Sequence, residues 1–189
     1  MKKAIVIGAT SGIGRGLSEF LSDKDWKIGI TGRRLELLNE IKNHNSDCFV
    51  IKQIDVLDLD NIEKNLDLLV EQLGGIDLVF LSSGTGDLNP NLDFEIEKRT
   101  IETNVTGFTM IADWAFRKFS EQKYGSFVAI SSVAGLRGSG DAPAYNATKA
   151  FQINYLEGLR CKAKKLKLPI YVTDIRPGFV DTAMAKGEG

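Results

Sequence analysis

Cysteine, histidine and long apolar runs are all scarce in this 189-residue chain, and each scarcity closes off a class of function. The two cysteines, Cys48 and Cys161, stand far apart with no Cys-x-x-Cys, so neither a disulfide framework nor a zinc site is indicated. Zinc-dependent alcohol dehydrogenase chemistry therefore lacks its ligands. The single histidine, His44, lies in the polar stretch Asn43 to Asp47. A serine hydrolase needs a base, usually His, and a strained Gly-x-Ser-x-Gly turn; Ser132 is followed by Val133-Ala134-Gly135, so that class fails. No apolar run approaches the roughly 18 residues of a membrane-spanning helix. The run after Met1-Lys2-Lys3 ends at Ile7 in a glycine turn, too short for the h-region of a signal peptide. A cytoplasmic location is expected. The formal net charge of −1 gives no electrostatic reason to expect nucleic acid or an anionic membrane as partner.

What is present is ordinary in amount: 43% hydrophobic and 26% charged residues, as in a soluble globular protein, in a chain long enough for one domain with a full core. The order is more telling. Ala4–Ile7 is wholly apolar, as expected of a strand buried on both faces. Further strands are expected over Lys27–Thr31, Cys48–Ile54, Ile76–Leu81, Ser126–Ile130 and Ile170–Ile175. Helical spacing marks Arg15–Ser22, Leu35–Lys42, Asp58–Leu73, much of Leu92–Gln122 and Pro143–Lys165. Asn104-Val105-Thr106-Gly107 are poor helix formers and predict a local distortion. Strands and helices alternate throughout, without repeats or linkers. The fold expected is α/β: a doubly wound, parallel, Rossmann-like sheet with helices on both faces, forming one domain over 1–189.

In such folds ligands bind beyond the C-terminal ends of the strands, and the chemistry-bearing residues fall there. After the first strand comes Gly8-Ala9-Thr10-Ser11-Gly12-Ile13-Gly14-Arg15. Its spacing is Gly-x-x-x-Gly-x-Gly rather than Gly-x-Gly-x-x-Gly, yet the glycines permit a tight turn and bring backbone N–H groups to a pyrophosphate at a helix N-terminus. No phosphate-loop Gly-Lys-Ser/Thr closes the turn, which removes P-loop kinases. The second strand ends without the acidic residue that reads a ribose 2′-OH, and Arg33 and Arg34 follow it, with Arg15 as a third cation. NADP(H) is accordingly favoured over NAD(H). Asp55 and Val56 end the third strand, Ser82-Ser83-Gly84-Thr85-Gly86 the fourth, Ser131 and Ser132 the fifth.

Tyr145 and Lys149 stand four apart in a stretch that reads as a helix beginning at Pro143. Positions i and i+4 share one face, with Cβ atoms roughly 5–6 Å apart. A fixed cation there stabilises a phenolate and draws the phenol, ordinarily near pKa 10, toward the working range. A Ser132 hydroxyl would hydrogen-bond a carbonyl oxygen as it gains charge. Alone, Tyr-x-x-x-Lys is also what two amphipathic residues on a helix surface look like.

Taken together and in order, these motifs resemble the tyrosine-dependent short-chain dehydrogenases/reductases over essentially the whole chain. The resemblance implies that Gly8, Thr10, Ser11, Gly12, Ile13 and Gly14 form the coenzyme turn, and that Asp55 and Val56 line the adenine pocket. Ser83 and Gly84 would lie along the cofactor, and Pro177, Gly178, Val180 and Thr182 on the nicotinamide side. Asn104, Ser132, Tyr145 and Lys149 would be the catalytic set. Tyr145 would give its proton to a carbonyl reduced by NADPH and Ser132 would steady the oxygen. Lys149 would hold the nicotinamide ribose and reach solvent through Asn104 and a water. The implied partners are a small carbonyl or alcohol substrate and a second copy of the chain, as homodimer or homotetramer through the two long helices. The resemblance departs at Ser82-Ser83-Gly84-Thr85, where the family commonly has Asn-Asn-Ala-Gly. This keeps small side chains but loses the Asn hydrogen bonds that steady the sheet. It departs again at Gly189, where a substrate-covering C-terminal segment is expected to be missing. The competing reading is a non-catalytic NADP(H)-binding sensor or regulatory subunit on the same scaffold.

Overall fold

A computed structural model of the chain describes residues 1–45 and 47–181. Six parallel strands form one sheet in the order β3-β2-β1-β4-β5-β6: β1 Lys2–Ile7, β2 Trp26–Gly32, β3 Phe49–Gln53, β4 Leu78–Leu81, β5 Gly125–Ile130 and β6 Ile170–Ile175. The helices are α1 Gly12–Ser22, α2 Leu35–His44, α3 Ile62–Leu73, α4 Phe94–Ile101, α5 Phe108–Gln122 and α6 Pro143–Leu166. The order reverses between β1 and β4, which opens a crevice at that point of the sheet.

Alternation along β1 explains the two layers. Ile5 and Ile7 join Leu66, Leu69, Phe108, Trp114 and Phe119 in the core under α3, α5 and α6. Ala4 and Val6 point the other way, to Leu21, Leu38 and Ile41 under α1 and α2. A strand with apolar residues on both faces must be covered on both, and that is why Ala4–Ile7 reads as a continuous apolar run. Gly29 in β2 is required by this packing, since a Cβ there would come within 2.8 Å of Leu69 Cδ2.

The register levels the functional ends of the strands. Ile7 pairs with both Thr31 and Leu81, Leu81 with Ala129 and Ile130 with Ile175. The loops carrying the candidate residues thus leave the sheet along one edge.

Several boundaries differ from the sequence expectation. The strand expected over Cys48–Ile54 is shorter, Phe49–Gln53. The helix expected from Asp58 begins at Ile62. Asp55 and Asp58 draw the backbone into turns first, through Leu57 N–H to Asp55 Oδ1 at 3.0 Å and Asn61 Nδ2 to Asp58 Oδ1 at 3.0 Å. The distortion expected at Asn104–Gly107 is a π-helical segment, Glu102–Gly107, inserted between α4 and α5. A π-turn interrupts the regular ladder of hydrogen bonds and frequently marks a functional position.

Candidate active site

The glycine turn is built by close approach. Gly8 has φ +86°, and a Cβ on it would lie 2.6 Å from Ser83 N; a Cβ on Gly14 would collide with the Gly8 carbonyl. Gly12 also sits at positive φ, +55°. The Gly8 and Ala9 N–H groups donate to the Thr31 carbonyl at 3.1 and 2.9 Å, pinning the turn to the end of β2. Helix α1 then starts at Gly12 with no side chain capping it and no acidic residue in its first turn. Its first N–H groups and the positive end of its dipole face the crevice, which suits a phosphate.

Of the three cations expected beside this turn, the structure separates the roles. Arg34 Nη2 donates to Thr10 Oγ1 at 3.0 Å and to Ser11 Oγ at 3.1 Å. Arg15 is committed elsewhere, to Glu19 at 2.9 Å and Glu40 at 3.6 Å. The Arg33 side chain is exposed and has no ion pair among the described residues, while its carbonyl accepts from Gln53 Nε2 at 2.7 Å. Asp55 holds its own turn, and Val56 is buried where Gly107 approaches it so closely that a Cβ would come within 2.6 Å of the Val56 carbonyl oxygen.

The start of the loop after β4 is steadied by its own backbone. Ser82 and Ser83 N–H both donate to the Ile7 carbonyl, at 2.8 and 3.1 Å. Gly84 lies against the catalytic candidates: a Cβ there would be 3.3 Å from Asn104 Oδ1 and 3.5 Å from Lys149 Nζ. Asn104 is fully buried and pins this loop, accepting from Thr85 N–H at 3.0 Å and donating to the Thr85 carbonyl at 2.7 Å and to Thr148 Oγ1 at 3.1 Å.

Tyr145 and Lys149 do share one face of α6. Lys149 Nζ lies 5.6 Å from the Tyr145 ring centroid, and Gly86 presses on that ring, where a Cβ would meet Cε2 at 2.6 Å. Lys149 is 4% exposed. Burial pushes its ammonium down to about 8, and the Asp174 carboxylate pulls in the opposite direction. The ammonium donates to the Ile130 carbonyl at 3.2 Å and to Gln152 Oε1 at 3.1 Å. Ser132 is buried at the end of β5, its Oγ accepting from Ala134 N–H at 3.1 Å. Neighbouring Ser131 instead donates to Asp174. Pro177 reaches the same corner, its carbonyl accepting from Val133 N–H at 3.1 Å. Gly178 and Val180 follow on the exposed side of that loop, and Thr182 lies outside the described residues.

Several residues that hold this site carried no signal by themselves. Ala142, before Pro143, has no side chain to cap α6. Glu97 of α4 supplies the acceptor instead, taking Ala144 N–H at 3.0 Å. Asn146 ties the 3₁₀ turn Val133–Leu136 to α6 by donating to the Ala134 and Arg137 carbonyls at 2.7 and 2.9 Å. Gly135 lets that turn rest on the α6 backbone, where a Cβ would lie 2.7 Å from the Lys149 carbonyl carbon. Each acts across the chain, so only a neighbour supplied by folding gives it a role.

A parallel sheet with a switch point and a glycine turn opening a helix define a dinucleotide-binding α/β protein, and the buried Lys149 lies beside the half-buried Tyr145 ring. The sequence profile of the short chain dehydrogenase family matches residues 2–189. This chain belongs to that family, a family of oxidoreductases that bind a nicotinamide cofactor. It is 33% identical over 188 residues to an uncharacterized oxidoreductase of Myxococcus xanthus, covering 97% of this chain and 74% of that one. It is 30% identical over 186 residues to one of Staphylococcus aureus, covering 97% and 80%. Among solved structures, a short-chain type dehydrogenase/reductase from Mycobacterium marinum superposes with TM-score 0.90 at 22% identity, covering 98% of this chain and 76% of that one. A variant of actinorhodin polyketide ketoreductase with NADPH gives 0.87 at 26% identity, covering 98% and 73%. Among the described residues no helix is long and apolar enough to cross a membrane, and no group of three His, Cys, Asp or Glu is placed to hold a metal ion.

Proposed function

We propose that this protein interconverts a small carbonyl compound and its alcohol with NADP(H), Tyr145 giving or taking the proton on oxygen. The observation that carries the reading is the pairing on α6: a phenol ring and a buried ammonium on one face, 5.6 Å apart, against Gly84 and Gly86 of the loop after β4. The turn fits a dinucleotide, because Gly8 and Gly14 let its backbone close tightly where a Cβ would strike Ser83 N or the Gly8 carbonyl, and α1 leaves its first N–H groups without a side-chain cap. Gly8 to Gly14 would hold the pyrophosphate, Asp55 and Val56 the adenine side, and Gly84, Lys149 and the Pro177-Gly178 loop the nicotinamide side. The cofactor, when bound, supplies or accepts the hydride.

The residues of the chain do the rest. Tyr145 delivers its phenolic proton to the substrate oxygen in reduction and removes it in oxidation. Lys149 keeps a positive charge beside the ring, where negative charge develops as that proton moves. Ser132 Oγ–H donates to the same substrate oxygen. NADP(H) is favoured over NAD(H) because the Arg34 guanidinium sits between the hydroxyls of Thr10 and Ser11 at the turn, and no carboxylate ends β2. We place the protein in the cytoplasm as a dimer or tetramer, acting on no nucleic acid or membrane.

The test is a panel of aldehydes and ketones offered to the purified protein with NADPH, following NADPH absorbance. Turnover is expected with at least one of them. Tyr145→Phe is expected to abolish it while NADPH fluorescence still reports binding. Normal turnover by Tyr145→Phe would remove Tyr145 as the acid. Tight NADPH binding with no turnover on any carbonyl or alcohol would favour the sensor instead.

A further inference from the structure

Gln152 lies three residues beyond Lys149 on α6 and is 1% exposed, an unusual depth for a primary amide. Both ends of that amide are engaged. Its Oε1 accepts from Lys149 Nζ at 3.1 Å, and its Nε2 donates to the Asn104 carbonyl at 2.9 Å. The carbonyl belongs to the π-helical segment Glu102–Gly107, where the regular ladder is interrupted. An inserted side chain is one recognised accompaniment of such a break. The result is an unbroken chain of hydrogen bonds: the Thr85 backbone to the Asn104 side chain, the Asn104 carbonyl to Gln152, Gln152 to Lys149, and Lys149 to the Ile130 carbonyl at the end of β5.

We propose that Gln152 is the positioning residue of the active site, clamping the Lys149 ammonium from behind so that its remaining N–H is directed to the cleft. The inference rests on the proposed function only in taking Lys149 as part of the site. Two of the three ammonium donors are taken, by Ile130 and Gln152. The third has Gly84 and Tyr145 as its neighbours, Gly84 being small enough for a Cβ to lie 3.5 Å from Nζ. A carboxamide has no proton to release near neutral pH. The link from Asn104 to Lys149 observed here therefore anchors the ammonium rather than carrying protons. The charged and titratable groups facing Lys149 are Asp174 on β6, itself paired with Arg176 and Ser131, and Tyr145 on α6. Gln152 is the neutral member that holds the charge against burial.

The test reads Lys149 itself in the cofactor-free protein, by titrating lysine 13Cε chemical shifts, with the Lys149 resonance identified by its loss in Lys149→Arg. Gln152→Met removes the acceptor and should lower the Lys149 midpoint by about one pH unit or more. Gln152→Glu puts a carboxylate in its place and should raise the midpoint by about one unit or more. Movement in opposite directions is what a purely structural role would not give. An unmoved midpoint in both variants, or movement the same way in both, would overturn the proposal. If Gln152→Met does not fold, Gln152→Glu decides alone: a raised midpoint supports the clamp and an unchanged one refutes it. Absence of turnover in the wild type would remove the proposed reaction and leave these shifts to decide the anchoring separately.

Discussion

Lys149 is a charge held where a charge is costly, and the cost can be read as stability. The ammonium is 4% exposed, and burial lowers it from the ordinary 10.5 to about 8. One pKa unit corresponds to about 1.4 kcal/mol, so the displacement amounts to about 3 kcal/mol. The sign follows from proton counting. Between pH 8 and 10.5 the unfolded chain keeps a proton on Lys149 that the folded chain has released. Stability contributed by this group therefore rises with pH across that window; below pH 8 the full penalty is present, and above 10.5 it is gone. Lys149→Met keeps a similar length and removes the titration. Urea unfolding of both proteins at half-unit steps from pH 7 to 10.5 isolates the effect, because other lysines cancel in the difference. The advantage of Lys149→Met over the wild type should be greatest at pH 7 and shrink by about 3 kcal/mol by pH 10.5. The lost hydrogen bonds to Ile130 and Gln152 offset the whole curve downward without changing its slope. A difference that stays flat with pH would refute the account of Lys149 as a desolvated ammonium.

Arg34→Ala is expected to weaken NADPH binding far more than NADH binding in fluorescence titrations. Arg33→Ala should do the same to a smaller degree, since only Arg34 reaches Thr10 and Ser11. Equal losses of the two cofactors in both variants would sink the 2′-phosphate argument. Gly14→Ala places a Cβ against the Gly8 carbonyl. It should cost about 1–3 kcal/mol in thermal or urea unfolding and abolish cofactor binding, and a variant of wild-type stability and affinity would contradict the observed close approach.

The order of strands and helices was legible because it is written in short-range pattern. Apolar runs buried on both faces, 3.6-residue spacing on the helices and small residues at the strand ends all act within a few positions of one another. Gly8 to Gly14, Asp55-Val56 and the Tyr145–Lys149 spacing were readable for the same reason: their geometry follows from the local backbone, and the register of β1, β2, β4 and β5 then brings their loops to one edge. The start of α3 was misplaced because the Asp55 carboxylate takes the Leu57 N–H and the Asp58 carboxylate takes the Asn61 side-chain amide, local turns that periodicity does not register.

The amino-acid order alone thus determined the sheet, the glycine turn and the helix face that carries the phenol and the ammonium. Folding decided which arginine meets the turn, which carboxylate caps α6 and what stands behind Lys149. Arg34 meets Thr10 across 24 positions, Glu97 meets Ala144 across 47, and Gln152 meets Asn104 across 48. A hydrogen bond between residues so distant has no periodicity to announce it, and it exists only once packing of the core has brought its two ends within 3 Å or so.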